Sequence, residues 1–270
     1  MKKTDLRYRA YVQILKEELV PAMGCTEPIA LAYAAAVARK TLGVLPDKVE
    51  VAASGSIIKN VKSVIVPHTG HLKGIPAAAA AGIVAGDAEK KLEVISYVKE
   101  EQVEEIKQFL EQTPITVEHL ESGITFDIEV TVHAGADSAK VRIANYHTNI
   151  VRIEKNGEIL ENIPVSGEEE NNLTDRSLLD MEHIWEFINT VDVEDIKPIL
   201  EPQLRMNMAI AEEGMTNDYG ANIGKVIWKT QEHTTANHAR AMAAAGSDAR
   251  MNGCSIALQG KAKTGYPRVS

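Results

Sequence analysis

The chain has 270 residues, of which 44% are hydrophobic, 25% charged and only 4% aromatic. That length buries a core without help from metals or disulfides, allows one large domain or two small ones, and leaves the core to Ala, Val, Ile and Leu. Against 29 basic side chains stand 38 acidic ones, a formal charge of −9, and no Lys/Arg cluster offsets it locally, which argues against nucleic acid as a partner.

In chain order, Tyr8, Tyr11, Val12, Leu15 and Leu19 recur at spacings of three and four and predict a first helix that Pro21 closes. Its charged, amphipathic character is unlike a secretory signal. After a short loop, Thr26 reads as an N-cap with Pro28 just inside an Ala-rich helix over 29–40 that stops near Gly43. The period then changes, and 49–51 and 63–66 read as strands bounded by Gly55 and Pro67. A small apolar helix over 76–86 follows, then an amphipathic one over 100–112 with Val103, Ile106, Phe109 and Leu110 on its inner face. Alternating segments at 115–120, 125–133, 139–144 and 150–154 predict strands, the last turning at Asn156-Gly157, a strong hairpin signal.

Acidic 166–175 reads as a solvated linker, and beyond it helices are expected over 178–189, 193–200, 202–213, 219–229 and 234–245. The longest apolar runs, 29–38 and 75–86, fall short of the roughly 20 residues of a membrane span. Two cysteines make no disulfide framework, so a reducing, cytoplasmic setting without a membrane partner is expected. No internal repeat is visible. The economical architecture is α+β: a helical domain formed by both ends of the chain, 1–45 and 176–255, with an inserted α+β domain of mostly antiparallel strands over 46–175 and a polar tail over 256–270.

Several residues are equipped for chemistry. Cys25 directly precedes a predicted helix and Cys254 directly follows one, each after a glycine in a turn where the backbone can approach a ligand. A thiol at a helix N-terminus has a depressed pKa, suited to metal ligation or nucleophilic attack; on spacing alone both cysteines read equally as small buried hydrophobes. No CxxC occurs, so neither a zinc ribbon nor a thioredoxin-like site is supported. His68-Thr69-Gly70-His71, with Lys73 beyond, lies between a predicted strand and a helix and reads either as a carboxylate cradle or as a polar surface turn. His147, Thr148 and Asn149 interrupt a strand pair, as a hairpin loop or a site loop. His233 and His238 are five apart and share no helix face. Glu213, Asn217 and Tyr219 read as helix capping, and Asp248 with Arg250 as a surface ion pair. Neither a phosphate loop nor a dinucleotide fingerprint occurs.

Three co-linear motifs, Met23-Gly24-Cys25-Thr26-Glu27-Pro28, then Ala211-Glu212-Glu213-Gly214 with Asn217 and Tyr219-Gly220, then Ser247-Asp248-Ala249-Arg250-Met251-Asn252-Gly253-Cys254, resemble the L-cysteine desulfidase family. This is the UPF0597 group, related to the alpha chain of iron–sulfur L-serine dehydratases. The resemblance implies an oxygen-sensitive [4Fe–4S] cluster held by three cysteines, of which Cys25 and Cys254 match the first two. It implies a lyase whose open iron acts as a Lewis acid in β-elimination, turning L-cysteine into sulfide, pyruvate and ammonia, with L-serine as the other substrate. Thr26, Glu27, His68, Thr69, His71, Lys73, His147, Thr148 and Asn149 become substrate-binding candidates. No residue is assigned as the base.

Family members continue far beyond the second cysteine to a third, whereas the similarity is expected to stop at Ser255. The tail is therefore expected to arise from an interrupted or frameshifted reading frame, leaving a truncated member in which a histidine, a carboxylate or a second subunit would have to complete the cluster. An incomplete helical domain is expected to expose apolar surface and to form homo-oligomers. The alternatives are an inactive relic or binding protein of the same fold, and a pyridoxal-phosphate lyase using Lys73 or Lys225, which no surrounding motif supports.

Overall fold

A computed structural model describes residues 1–21, 24–165, 174–254 and 265–267. Residues 166–173 of the expected acidic linker, and most of the expected tail, lie outside the described residues. The first helix, α1 (Leu6–Glu18), is capped by Asp5, whose carboxylate accepts the Arg7 N–H. A short strand, β1 (Leu19–Pro21), follows and pairs antiparallel with β8 (Gly265–Pro267), so a segment read as featureless tail carries strand pairing.

The next helix, α2 (Thr26–Leu42), leads through 43–47 into β2 (Lys48–Ala53), then α3 (Gly55–Val61), α4 (Gly74–Ala85), a 3₁₀ turn at Ala88–Glu93, and α5 (Glu100–Gln112). Strands β3 (Ile115–His119), β4 (Asp127–Ala134), β5 (Asp137–Ala144), β6 (Ile150–Lys155) and β7 (Glu158–Asn162) complete a six-stranded sheet in the order β3-β2-β4-β5-β6-β7. Only β2–β3 is parallel; the other neighbours pair antiparallel. The expected α+β class with mostly antiparallel strands is what the chain forms. The Asn156-Gly157 hairpin also forms, with both residues at positive φ as its tight turn requires.

Alternation along β2, β4 and β5 gives the sheet two unlike faces. Val49, Val51, Ile128, Val130, Val132, Val141 and Ile143 point inward and are buried, while Glu50, Glu129, Lys140 and Arg142 stand on the other face. There Lys140 pairs with Glu129 at 2.8 Å, and Arg142 makes a two-pronged pair with the fully buried Asp127 at 2.9 and 2.7 Å. The inner face is covered by α2 and α4, whose alanines share one core with the strands. Such small side chains let the helices touch backbone to backbone, and a Cβ at Gly82 would sit 2.1 Å from the Ala32 carbonyl oxygen. Residues 26–42, grouped from sequence with the terminal helices, thus share the core of the sheet.

Beyond the sheet come α6 (Met181–Thr190), α7 (Val193–Thr216), α8 (Ile223–Thr230) and α9 (Thr235–Met251). Two helices expected over 193–200 and 202–213 are one, with Pro198 and Pro202 inside it. Four residues apart, both prolines lie on one side of α7, Pro198 exposed and Pro202 half-buried, where water can reach the carbonyls their missing N–H groups leave free. The helix expected over 234–245 runs on to Met251. α1 joins this set through Tyr8 and Tyr11, which pack edge-on against Phe187, and α9 presses on α7 where a Cβ at Gly214 would meet the Ala245 carbonyl at 2.1 Å. No helix among the described residues is long and apolar enough to cross a membrane.

Candidate active site

Residues 63–66, expected as a strand, form a crossing point instead. Ile65 bridges Lys73 on one side and Asn252 on the other, and its N–H donates to the Met251 carbonyl at 3.1 Å. One chain segment thereby ties the start of α4 to the end of α9. Gly253 fits there at φ 76° because a Cβ would come 2.6 Å from the Ile65 Cγ2. Gly24, at φ 71°, meets the same segment from the other side, its missing Cβ 3.1 Å from Pro67 Cγ and 3.7 Å from the Arg250 carbonyl. Both cysteine turns therefore close on 65–67, and this three-way junction is the candidate site.

Cys25 is itself the N-cap of α2, and Thr26 is the first helical residue, one position later than the expected cap. No side chain caps this end of the helix. The thiol is not activated as its place at a helix N-terminus predicts. Burial pushes its pKa up to about 12, the Glu27 carboxylate adds to the rise, and Arg250 opposes it. At neutral pH the protonated thiol donates to Glu27 Oε2 at 2.9 Å, while Glu27 Oε1 accepts from Asn60 Nδ2 at 3.5 Å. Cys254 is 2% exposed, packed with Ile210, Ala249 and Tyr219.

Tyr219 and Glu213, read as mere capping, support this second thiol. The Tyr219 hydroxyl donates to Glu213 Oε1 at 2.8 Å. Burial raises its pKa first, with further upward contributions from that hydrogen bond and from Cys254 alongside. The expected Asp248–Arg250 surface pair does not form. Two residues apart on a helix point about 200° apart, and each has another task. Asp248 is buried and accepts the Gly224 N–H at 3.0 Å, locking α8 to α9. Arg250 is half-buried beside Cys25, and burial lowers its pKa to about 10.

The remaining candidates distribute as follows. His68 (φ 60°) follows Pro67; its Nε2 is enclosed and without a hydrogen-bond partner, and burial lowers its pKa to about 4, so the ring is neutral at pH 7. Thr69 is wholly buried and its hydroxyl donates to the Val66 carbonyl at 2.7 Å, a structural bond that shapes the turn. His71 and Lys73 are exposed, Lys73 standing as the N-cap of α4. His147, Thr148 and Asn149 form the β5–β6 connection, with His147 against Phe126 (ring centroids 4.4 Å apart) and Asn149 Nδ2 donating to the Ala144 carbonyl. A cleft of about 430 Å³ opens at the start of α3, lined by Ser54, Gly55, His119 and Thr125 among others, and none of these candidates lines it. His233 and His238 do meet, through Trp228, which stacks on one and lies edge-on to the other.

The family described as serine dehydratase alpha chain matches residues 89–260. A UPF0597 protein of Desulfitobacterium hafniense is 52% identical over 256 residues, 95% of this chain and 60% of that protein. This chain belongs to the UPF0597 group of the serine dehydratase alpha-chain family. A UPF0597 protein of Lachnoclostridium phytofermentans is 45% identical over 92% of this chain, and one of Actinobacillus pleuropneumoniae is 37% identical over 99% of it, so that alignment runs past Ser255, where the similarity was expected to stop. The chain spans about 60% of the length of these UPF0597 relatives. No solved structure matches it.

Among the described residues, no three or more His, Cys, Asp or Glu side chains gather as a metal site would need. Among the described residues the two thiols of Cys25 and Cys254 do not by themselves supply a cluster bound by three protein thiolates.

Proposed function

We propose that this chain supplies the greater part of the catalytic unit of a lyase that eliminates the β-substituent of an α-amino acid, with L-cysteine as substrate and L-serine as the second candidate. Sulfide would leave Cβ as the Cα proton is removed, and the resulting aminoacrylate would take up water to give pyruvate and ammonia. The observation that carries this reading is the closure of both cysteine turns, from opposite ends of the sequence, on the single segment 65–67. Membership of the serine dehydratase alpha-chain family supports the reaction class. A [4Fe–4S] cluster belongs to the proposal only with a third donor from outside the described residues; when bound, it would supply Lewis-acid chemistry. The chain's own residues would hold and orient the substrate around Thr26, His68 and Arg250.

The test is anaerobic reconstitution with iron and sulfide, counting iron per chain and following sulfide release from L-cysteine. About four irons per chain, with turnover abolished in Cys25→Ala and Cys254→Ala, is the expected result. A chain that holds no cluster and releases no sulfide is a non-catalytic member of the same fold.

A further inference from the structure

Much of the apolar surface open to water lies on three consecutive helices, and each shows it as a stripe. On α6, Met181, Trp185 and Ile188 are spaced four and three apart and are 80%, 67% and 57% exposed. Ile184 and Phe187 of the same helix pack inward on Tyr8 and Tyr11 of α1. At about 100° per residue, these five side chains span an arc of about 160°, so α6 carries an apolar face that α1 covers only in part. On α7, Leu204 and Met208 are exposed four residues apart, while Met206 and Ile210 are buried. On α8, Gly224 is pressed against α9, its missing Cβ 2.5 Å from the Ala245 Cβ. Exposed Val226 lies about 160° round that helix from Gly224, with exposed Ile223 on the turn before it. The sheet leaves no such face: its inner side shares a core with α2 and α4, and its outer side carries ion pairs.

The relatives supply an occupant for that side. This chain spans 60% of the UPF0597 protein of Desulfitobacterium hafniense, which leaves 40% of that protein outside the shared stretch. We propose that the outward stripes of α6, α7 and α8 form the docking surface for the polypeptide that makes up this remaining length, which seats its own apolar side chains against Trp185 and its neighbours. A second copy of the chain fits less well, because it accounts for the open stripes but not for the extra length of the relatives. Trp185 is the natural anchor: a large, flat side chain ordered by few rotatable bonds is the kind that carries most of an interface's binding energy. Docking at these helices is independent of the lyase reading.

The experiment mixes the full chain with the segment of the Desulfitobacterium hafniense protein that lies outside the shared 60%, and follows the complex by sedimentation. A one-to-one complex is expected. Replacing Met181, Trp185 and Ile188 by Ser, Gln and Gln should weaken it at least about tenfold, whereas Leu160→Ser, at an exposed position on β7, should change it less than about twofold. The segment should also separate copies of the chain that associate through these helices. Because the segment can fail to fold by itself, a second arm uses the intact relative. Amide exchange over the stretches aligned with α6 and α8 should be at least about tenfold slower in the Desulfitobacterium hafniense protein than in this chain, with β7 changing little. No complex with a folded segment, equal weakening by Leu160→Ser and the triple replacement, copies that stay together and exclude the segment, or equal exchange in the two proteins each overturns the proposal. A chain that takes up the segment yet releases no sulfide after reconstitution upholds the docking surface and fails only the lyase reading.

Discussion

Helices α4 and α9 are both built largely of alanine and glycine, yet their surroundings differ. α4 is buried from Ala77 to Ile83, between α2, α5 and the sheet, whereas the first half of α9 faces outward and only its second half is enclosed, by α7 and α8. Larger apolar side chains follow the same division. The central strands β2, β4 and β5 bury their isoleucines and valines almost completely, while the C-terminal helices expose Met181, Trp185 and Ile188 on α6, Leu204 and Met208 on α7, and Ile223 and Val226 on α8. Composition sets how closely a helix can be approached; the number of neighbours that topology provides sets whether the approach is used. The sheet region has its complement of neighbours, and the C-terminal helices present a face that could take more.

The sharpest way to break this comparison is to make one substitution in both helices. Gly82→Ala forces a Cβ into the Ala32 carbonyl and should cost about 3 kcal/mol or more, seen as a large fall in the urea midpoint. Gly246→Ala meets Ala211 at an ordinary 3.6 Å and should stay within about 1 kcal/mol of the unaltered protein, offset by better helix propensity. Equal losses would show that the two helices are packed alike.

Asp248→Ala should cost less, about 1–3 kcal/mol, because it leaves the Gly224 N–H buried and unpaired. Its more telling readout is the rate at which a thiol reagent labels Cys254, which should rise as α8 loosens from α9 while labelling of Cys25 changes little. Replacing Met181, Trp185 and Ile188 by Ser, Gln and Gln should alter stability by only about 0.5 kcal/mol per site, but should reduce self-association measured by sedimentation. Unchanged sedimentation would show that the open face is not what brings copies together.

Acid should distinguish the regions last and most gently. Burial alone would raise the Glu17 pKa, but hydrogen bonds from Arg176 and Thr174 prevail and hold it below the usual carboxylate range. A carboxylate lowered on folding contributes stability that is fully present above its unfolded pKa and is lost as pH falls through its folded one. The join between α1 and residues 174–178 should therefore weaken on the acid side of the ordinary glutamate range. Amide exchange across α1, compared between the unaltered protein and Glu17→Gln, reads this directly: the variant should lack the acid-side change.

Much of the fold was legible because period is a local property. The strands of the sheet, the amphipathic α5 with Ile106 and Phe109 inward, and the Asn-Gly hairpin all follow from alternation, 3.6-residue spacing and turn chemistry. The prolines of α7 misled, since the helix runs through both of them on a side that water can reach, where the freed carbonyls can be hydrated. Residues 63–66 have strand composition, but their backbone hydrogen bonds go to Leu72 and Gly74 on one side and to Met251 on the other, far apart in the chain. At the candidate site, the glycine before each cysteine was read as room for a ligand, and in the structure residues 65–67 of the chain itself come close there. Arg250 was misread because sequence adjacency to Asp248 suggests a pair, while helix geometry turns the two side chains apart.

The sequence by itself determined most of the helices and strands, the α+β class, the Ala-rich packing of α2 and α4, and, through its three motifs, the family. Tertiary structure alone decided that the turns of Cys25 and Cys254 share one junction, that burial raises the Cys25 pKa despite its place at a helix start, and that a half-buried arginine lies beside it. The physical reason is range. Periodicity and capping act over a few residues and are written in the local sequence, whereas desolvation and charge depend on which distant segments exclude water from a group, and only the folded chain sets that.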